Sequence, residues 1–317
     1  MRRGSVVRLG LLALCWGSSF LWIKLALRGF SPVQIVFGRV VLGALVLLVI
    51  VRARGYRLPR QPALWGYLFG AALVSNVAPF LLFAIGEQRV DSGLAGVLNG
   101  TTPLWTFAIA LAVRHERHAS PARVLGLVLG FAGVLLIFAP WQGGATGSTL
   151  GALACLTAGA SYGVSYVYMD RFLAGRELAP IVLSSSQLSA ATLLMLFMMP
   201  AAGLAEPRLR ADSVVAVVLL GVICTGATFV LNYRLIADEG ATATSTVAYL
   251  LPVVAVILGV VALGEPLTPH VVAGMVVVLV GVGLARHQSQ RSQRNQQAPD
   301  RAPRASTAVS PPAGDPG

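Results

Sequence analysis

Ten apolar stretches, separated by short polar joints, follow one another through most of the 317-residue chain. Each is about 17 to 24 residues long, the length that an α-helix needs to cross about 30 Å of hydrocarbon. A transmembrane β-barrel would need alternating strands of about ten residues, which these uninterrupted runs do not contain. The sequence therefore predicts an all-α integral membrane protein with ten transmembrane helices near residues 6–27, 33–51, 64–86, 92–113, 122–139, 150–169, 181–202, 213–236, 241–263 and 269–285.

The first five stretches match the last five in their landmark residues. Pro103 and Glu116 recur as Pro252 and Glu265, both displaced by 149 positions. Displacements of 146 to 148 positions relate Gly17 to Gly163, Ser19 to Ser165, Pro32 to Pro180, Pro121 to Pro269, Gly126 to Gly274 and Gly133 to Gly281. Since each half has an odd number of helices, the second must enter the membrane from the opposite side. We predict two inverted five-helix repeats, over residues 1–145 and 146–285, as in transporters that rock around a central site.

The distribution of charge gives the orientation in the membrane. Charged residues are 11% of the chain and hydrophobic residues 56%, against about 25% charged in a soluble domain. The net charge of +12 lies mostly in the joints of one face, which hold 18 of the arginines against 4 on the other face. The positive-inside rule then predicts a multi-pass protein of the cytoplasmic membrane with both termini in the cytoplasm. This placement assigns the basic charge to topology and excludes a nucleic-acid partner.

Cysteine usage and the C-terminal composition exclude further features. The three cysteines all fall inside predicted helices, which gives no disulfide framework, and no Cys and His spacing resembles a metal site. We therefore expect neither a metal nor a cofactor. Residues 286–317 are rich in Gln, Ser, Pro and Arg, which predicts a disordered cytoplasmic tail.

Three prolines lie inside predicted helices and mark candidate bends. Pro79, Pro103 and Pro252 each lack the amide hydrogen that would bond to the carbonyl four residues earlier. In lipid such a carbonyl must face protein, water or solute. Because Pro103 and Pro252 are counterparts in the two halves, a matched pair of bends beside a solute cavity and a pair of simple packing kinks both stay open.

Three kinds of segment form a recognisable pattern: Leu14–Phe20 running to Lys24, Pro32 through Arg39, and, in each half, a proline and an aliphatic run that lead to Glu116 or Glu265. Together they resemble the drug/metabolite transporter superfamily and, within it, the ten-helix EamA-type permeases. The segment Leu263–Leu267 looks like that family's junction between helices nine and ten, whereas the first half departs from it with Arg114–Arg117. The resemblance covers about residues 6 to 285. It implies ten helices, alternating access, and export or exchange of small metabolites, amino acids or drugs.

Polar and aromatic side chains inside the predicted helices are candidates for a solute cavity, because an amide or a charge facing lipid is penalised. The candidates are Trp16, Ser19, Lys24, Arg39, Asn76, Asn99, Trp105, Tyr162, Ser165, Gln187, Asn232 and Tyr249. Gln187 is displaced by 148 positions from Arg39, and we expect the two to face each other near the pseudo-two-fold axis. Amides, aromatics and few charges suit amphipathic solutes, with amino acids and related metabolites as the leading class.

Lys24 and Arg39 are the two charges well within the apolar runs. Burying either costs about 2.5–3.5 kcal/mol on insertion scales, so each should face the bundle. Two interpretations stay open: the cations attract an anionic group of the solute, or Lys24 reaches the outer surface while Arg39 bonds to neighbouring carbonyls. All twelve Asp and Glu lie at helix ends, in joints or in the tail. The first helix has no carboxylate, which disfavours proton antiport by that route. Glu87, at the outer end of the third helix, is the nearest substitute, and we predict an interfacial role for it.

Two other classes of membrane protein fit the sequence less well. A membrane-embedded enzyme would need a nucleophile–base pair or a metal motif; HExxH does not occur, and the one GxSxG match, Gly159–Gly163, lies inside a predicted transmembrane helix. A non-transporting receptor-like protein or a channel would predict a sizeable extramembrane domain or rings of charge, which the sequence lacks. We therefore predict a secondary transporter, not an enzyme, with a small-molecule solute and the lipid bilayer as partners. The oligomeric state stays open.

Overall fold

The structure is a computed structural model that describes residues 3–113, 121–138, 146–173, 176, 178–200, 205–232, 247–281 and 284. Every regular element in these ranges is helical. The all-α prediction is therefore confirmed for this part of the chain. Glu116, the tail over 286–317 and the side chain of Tyr249 lie outside the described residues.

Within the described ranges, seven helices are long and apolar enough to cross a membrane. They are α1 (Val7–Ala26), α2 (Pro32–Ala53), α3 (Pro62–Gly86), α4 (Ser92–Ala112), α6 (Thr149–Phe172), α7 (Pro180–Met198) and α8 (Ala211–Asn232). Three further apolar helices are α5 (Pro121–Phe138), α9 (Val247–Leu263) and α10 (Pro269–Gly281). The described part of the chain is thus a multi-helix membrane bundle.

Prolines begin several of these helices. Pro32, Pro62 and Pro180 stand at the first turn of α2, α3 and α7, where a missing amide hydrogen costs no helical hydrogen bond. At α2 the start is reinforced by a capping box, in which the Ser31 hydroxyl accepts from the Gln34 amide and the Gln34 side chain accepts from the Ser31 amide. Such reciprocal bonds satisfy amides that the helix itself leaves unpaired.

The halves of the chain pack against each other along several helices. In the core, α2 lies against α7 and α8, α7 also lies against α3, and α4 lies between α6 and α9. Two glycines allow close approach: an added Cβ on Gly17 of α1 would lie 2.6 Å from Val254 Cβ, and one on Gly163 of α6 would lie 2.7 Å from Trp105 Cβ. Backbones that approach this closely gain dispersion contacts, which drive helix association where lipid removes the hydrophobic drive.

In the part of the chain that the structure describes, two helices contain π-helical segments in their interiors. These segments are Leu73–Val77 in α3 and Leu219–Ala227 in α8. In the first, the Val74 carbonyl accepts a hydrogen bond at 2.8 Å from the Ser161 hydroxyl of α6. Pro79 follows it by two residues and, lacking an amide hydrogen, cannot extend the regular ladder. Single π-helical turns inside α-helices often mark functional sites.

Pro103 of α4 and Pro252 of α9 differ in the conformation of the helix around them. The helix of α4 is interrupted at Gly100 and Thr101, directly before Thr102 and Pro103. Pro103 has no amide hydrogen to donate to the Asn99 carbonyl, which accepts instead from the Thr102 hydroxyl at 2.8 Å. Around Pro252, by contrast, one unbroken helix extends over Val247–Leu263. The Pro252 ring lies against the interruption of α4, since a Cβ on Gly100 would be 2.9 Å from Pro252 Cγ.

Candidate functional site

A buried cation lies in the interior of the bundle where α2, α3 and α8 meet. Arg39 is 8% exposed, and its Nε donates to the Thr225 hydroxyl at 2.9 Å. The guanidinium carbon lies 3.8 Å from the centroid of the Phe80 ring. A cation over an aromatic face is stabilised by about 2 kcal/mol or more when water is excluded. The structure thus confirms burial inside the bundle and shows a hydroxyl and a ring as the partners of Arg39.

A buried pair of amide side chains joins α7 to α3 in the same region. Gln187 of α7 donates from Nε2 to Oδ1 of Asn76 at 2.7 Å, and both side chains are buried. Asn76 is in the π-helical segment of α3, one turn before Phe80. The prediction that Arg39 and Gln187 face each other is not met by a mutual hydrogen bond. Arg39 and Gln187 each bond instead to a helix of the other half. We call these side chains and their partners the interior polar cluster: Arg39, Asn76, Phe80, Gln187 and Thr225.

The aromatic candidates are distributed over the bundle. The Tyr162 ring lies 6.2 Å from the Phe83 ring, one turn after Phe80. Trp105 meets Phe131 edge to face at 4.9 Å, and its indole nitrogen is buried with no hydrogen-bond partner among the described residues. Trp16 is half-buried and packs on a separate apolar cluster at the start of α1. Tyr162 is therefore near the interior polar cluster, whereas the two tryptophans belong to other packing regions.

The remaining polar candidates mostly bond within their own helices. The Ser19 hydroxyl donates to the Cys15 carbonyl at 3.4 Å, and the Ser165 hydroxyl donates to the Tyr162 carbonyl at 2.8 Å. The Asn99 carbonyl is occupied by Thr102. Asn232 is half-buried and ends the described part of α8. Hydroxyls bonded to their own backbone are satisfied without solute, as is common for Ser and Thr in helices.

A pocket of about 590 Å³ opens where α1, α3 and α9 end and α4 begins. We call it the helix-end pocket. Its charged lining residues are Lys24, Arg28, Glu87, Asp91 and Glu265.

Lys24 connects α1 to the end of α3 at this pocket. Its ammonium donates to the Glu87 carbonyl at 2.7 Å and to the Val90 carbonyl at 2.6 Å. Carbonyls at a helix C-terminus carry partial negative charge and favour a cation. One interpretation of the sequence has Arg39 bonding to backbone carbonyls. In the structure it is Lys24 that does so.

Glu265 caps the start of α4 from the turn after α9. One carboxylate oxygen accepts from the Ser92 amide at 2.7 Å, and the other accepts from the Gly93 amide and the Ser92 hydroxyl, both at 3.0 Å. A negative charge on unpaired amides at a helix N-terminus is favourable. The repeat pattern in the sequence marks Glu265 by its position, and in the structure its carboxylate caps the N-terminus of α4.

Glu87 is buried, contrary to the interfacial role predicted for it. Its exposed fraction is 0%, and neither carboxylate oxygen has a hydrogen-bond partner among the described residues. It directly follows the last residue of α3, and burial raises its pKa well above the usual range. Burial, with Glu265 nearby, also raises the pKa of Asp91.

The burial of Glu87 has a cause in helix packing that the sequence does not display. Next to it, a Cβ on Gly86 would lie 2.8 Å from the Gly151 carbonyl of α6. The close approach of these two glycines brings α6 over the end of α3. In a sequence, a carboxylate directly after an apolar run looks like an exposed helix end. The contact between Gly86 and Gly151, which buries Glu87, depends on the packing of α3 against α6.

Comparison with known proteins agrees with this architecture. The model of the EamA-like transporter family matches the chain twice, over residues 6–139 and 149–286. The chain is similar to the uncharacterized transporter YdfC of Bacillus subtilis, with 28% identity over 84% of this chain and 86% of the relative. It is also similar to the uncharacterized inner membrane transporter YedA of Escherichia coli, with 26% identity over 81% and 82%.

A solved crystal structure has the same fold, with a TM-score of 0.62 and 20% identity over 92% of this chain and 100% of that one. These matches identify a multi-pass membrane protein of the transporter class rather than an enzyme. The chain belongs to the EamA-like transporter family of the drug/metabolite transporter superfamily.

Proposed function

We propose that the protein is a secondary transporter that exports small amphipathic metabolites across the cytoplasmic membrane by alternating access. Amino acids and related compounds are the leading solute class, and drugs are the second. The observation that carries the proposal is the interior polar cluster, in which buried polar groups of each half bond to a helix of the other half. Buried polar groups between membrane helices are costly and concentrate on solute pathways.

The same contacts support the two inverted repeats, over residues 1–145 and 146–285, and ten membrane crossings. Arg39 and Gln187 are 148 positions apart, and their partners Thr225 and Asn76 are 149 apart. Both partners lie in π-helical segments, of α8 and α3. A pseudo-two-fold axis between the halves produces such paired contacts, and repeats of this kind hold solute where they meet.

The chemistry of the cluster supports the solute class. An Arg side chain has five N–H donors, of which one is bonded to Thr225 in the described residues. The others suit a carboxylate, which guanidinium groups bind in a planar, two-point geometry. Phe80, Tyr162 and Phe83 supply apolar and aromatic surface beside the cation. A cation beside rings and amides fits a solute with one anionic end and an apolar body.

Transport in proteoliposomes tests the function. The purified full-length protein would be assayed for flux of an amino-acid and metabolite panel, beside Arg39→Gln and the control Arg52→Gln at the exposed end of α2. We expect Arg39→Gln to lower flux of anionic and zwitterionic solutes about 10-fold or more, because hydrogen bonds to a charged group contribute about 1.5–3 kcal/mol. Arg52→Gln should match the wild type. A folded wild-type protein that moves no panel solute would contradict the proposal.

Accessibility labelling tests the inverted topology separately. Single cysteines introduced as Arg3→Cys and Arg286→Cys would be exposed to an impermeant thiol reagent in oriented vesicles. With ten crossings and both termini in the cytoplasm, both should react from the cytoplasmic side only. Reaction from opposite sides would mean an odd number of crossings, which two five-helix repeats cannot give.

A further inference from the structure

Glu87 is buried with both carboxylate oxygens unpaired in the described structure, and it stands at the wall of the helix-end pocket. An ionised carboxylate without hydrogen bonds is strongly destabilised away from water, whereas the neutral acid is not. The geometry therefore gives Glu87 a reason to hold a proton, and the adjoining pocket can supply water once the carboxyl group is uncovered.

The charged and titratable groups around Glu87 come from every element packed on it. Lys24 faces it from α1, Arg39 from α2 and Glu265 from the turn after α9, and Cys155 of α6 interacts with it as well. The cations favour the carboxylate and Glu265 disfavours it, but burial is the largest influence and keeps the pKa of Glu87 raised. Neither cation pairs with the carboxyl group, because Lys24 bonds to carbonyls and Arg39 to Thr225.

We propose that Glu87 is a reversible proton-binding site that couples solute movement to the proton gradient. The coupling rests on the proposed transport function, whereas proton binding itself does not. In a conformation that opens the Glu87 carboxylate to the helix-end pocket, a hydronium ion gives its proton to a carboxylate oxygen, which leaves the neutral acid and a water molecule. The same O–H bond breaks, and the proton returns to water, when the site is hydrated in another conformation.

Lys24 links the charge of Glu87 to the position of a helix. With Glu87 neutral, the ammonium stays on the Glu87 and Val90 carbonyls and ties α1 to the end of α3. An ionised Glu87 carboxylate attracts the same ammonium and competes with those carbonyls, because a charged acceptor forms the stronger bond. Losing the proton thus weakens the tie between α1 and α3, which shifts the population between two arrangements of the pocket.

In the sequence, the first helix offers Lys24 but no acid, which disfavours proton antiport by that route. In the fold, the cation of α1 and the acid at the end of α3 lie at one pocket. The acid that the first helix lacks is supplied by its neighbour.

Proton binding is tested by infrared titration of the purified full-length protein in lipid. At about pH 6, where ordinary carboxyl groups are ionised, the wild type should show the C=O band of a protonated acid. The band should fall as the pH rises, and it should lose intensity in Glu87→Gln but not in Glu206→Gln, a change at an exposed joint. Because the pKa of Asp91 is raised as well, the test is the difference between wild type and variant. A wild type without the band, or a band of undiminished intensity in Glu87→Gln, overturns the proposal. The wild-type titration decides the first point even if the variant does not fold.

Coupling is tested in proteoliposomes with a solute that the wild type carries. An imposed pH gradient should change the wild-type flux several-fold, and Glu206→Gln should respond alike. In Glu87→Gln the fluxes with and without the gradient should be equal. A variant that responds as the wild type does overturns the coupling. If no panel solute moves, the transport function fails, and the infrared titration still decides whether Glu87 binds a proton.

Discussion

Gln187 donates a hydrogen bond to Asn76 at 2.7 Å between α7 and α3, two helices of different halves of the chain. The counterpart of this contact joins Arg39 of α2 to Thr225 of α8 at 2.9 Å. The two contacts have the same positions in the two halves but different chemistry, a neutral amide pair in one and a cation with a hydroxyl in the other. Under the proposed pseudo-symmetry, these paired contacts would present an asymmetric site to the solute.

The amide contact should be energetically coupled. Gln187→Leu leaves the buried Asn76 side chain without its partner, which costs about 1–3 kcal/mol of unfolding free energy. Asn76→Leu has the mirror effect, and the double variant should be more stable than the sum of the single losses predicts. We expect a coupling energy of about 0.5–3 kcal/mol from thermal unfolding in detergent. Strictly additive losses would show that the two amides do not depend on each other.

The close approach of α6 to α4 should not tolerate a methyl group. In Gly163→Ala the new Cβ would lie 2.7 Å from Trp105 Cβ and 2.9 Å from the Thr106 amide nitrogen, so the backbones must separate. Overpacking of this kind costs about 1–3 kcal/mol. Gly66→Ala in α3 is the matched control, because nothing lies within 4 Å of its added Cβ. Thermal unfolding should show a loss for the first and none for the second; equal behaviour would count against this packing.

The helices were predictable from the sequence because their cause is local. A run of apolar residues of membrane length, begun by Pro32 or Pro180, must be helical in lipid since every backbone polar group has to be bonded internally. The burial of Arg39, Asn76 and Gln187 followed from the same cost of polar groups in lipid. These predictions needed no knowledge of which helix lies beside which.

The partners of the polar groups could not be predicted, because they depend on the arrangement of helices. Thr225 and Phe80 are ordinary residues in apolar runs, and only the crossing of α2 with α8 and α3 places them on Arg39. Glu87 has the sequence context of an exposed helix end, and the contact of Gly86 with α6 buries it. The π-helical segments left no mark in periodicity, since one extra residue in a turn is small beside the length of a helix.

The Glu265 cap should contribute to the order of α4. Glu265→Gln keeps the shape but removes the charge that accepts from the Ser92 and Gly93 amides. We expect a loss of about 0.5–2 kcal/mol, the range for N-cap substitutions. Hydrogen exchange should rise at the first turn of α4, while Glu206→Gln leaves it unchanged. Unaltered exchange at Ser92 and Gly93 would contradict a capping role.

The pH dependence of stability should report on Glu87. Its pKa is raised in the folded protein by burial, so between the unfolded value of about 4.3 and the folded value the native state holds the extra proton. The stability that the Glu87 proton gives to the folded state is therefore complete below the pKa of Glu87 in the unfolded chain. It is lost as the pH rises through the pKa of Glu87 in the folded protein. Glu87→Gln stays neutral throughout, so its melting temperature should exceed that of the wild type at alkaline pH and match it at acid pH. Thermal unfolding followed by tryptophan fluorescence across pH measures this difference, with Glu206→Gln expected to follow the wild type. Parallel curves for wild type and Glu87→Gln would mean that Glu87 is already ionised in the fold.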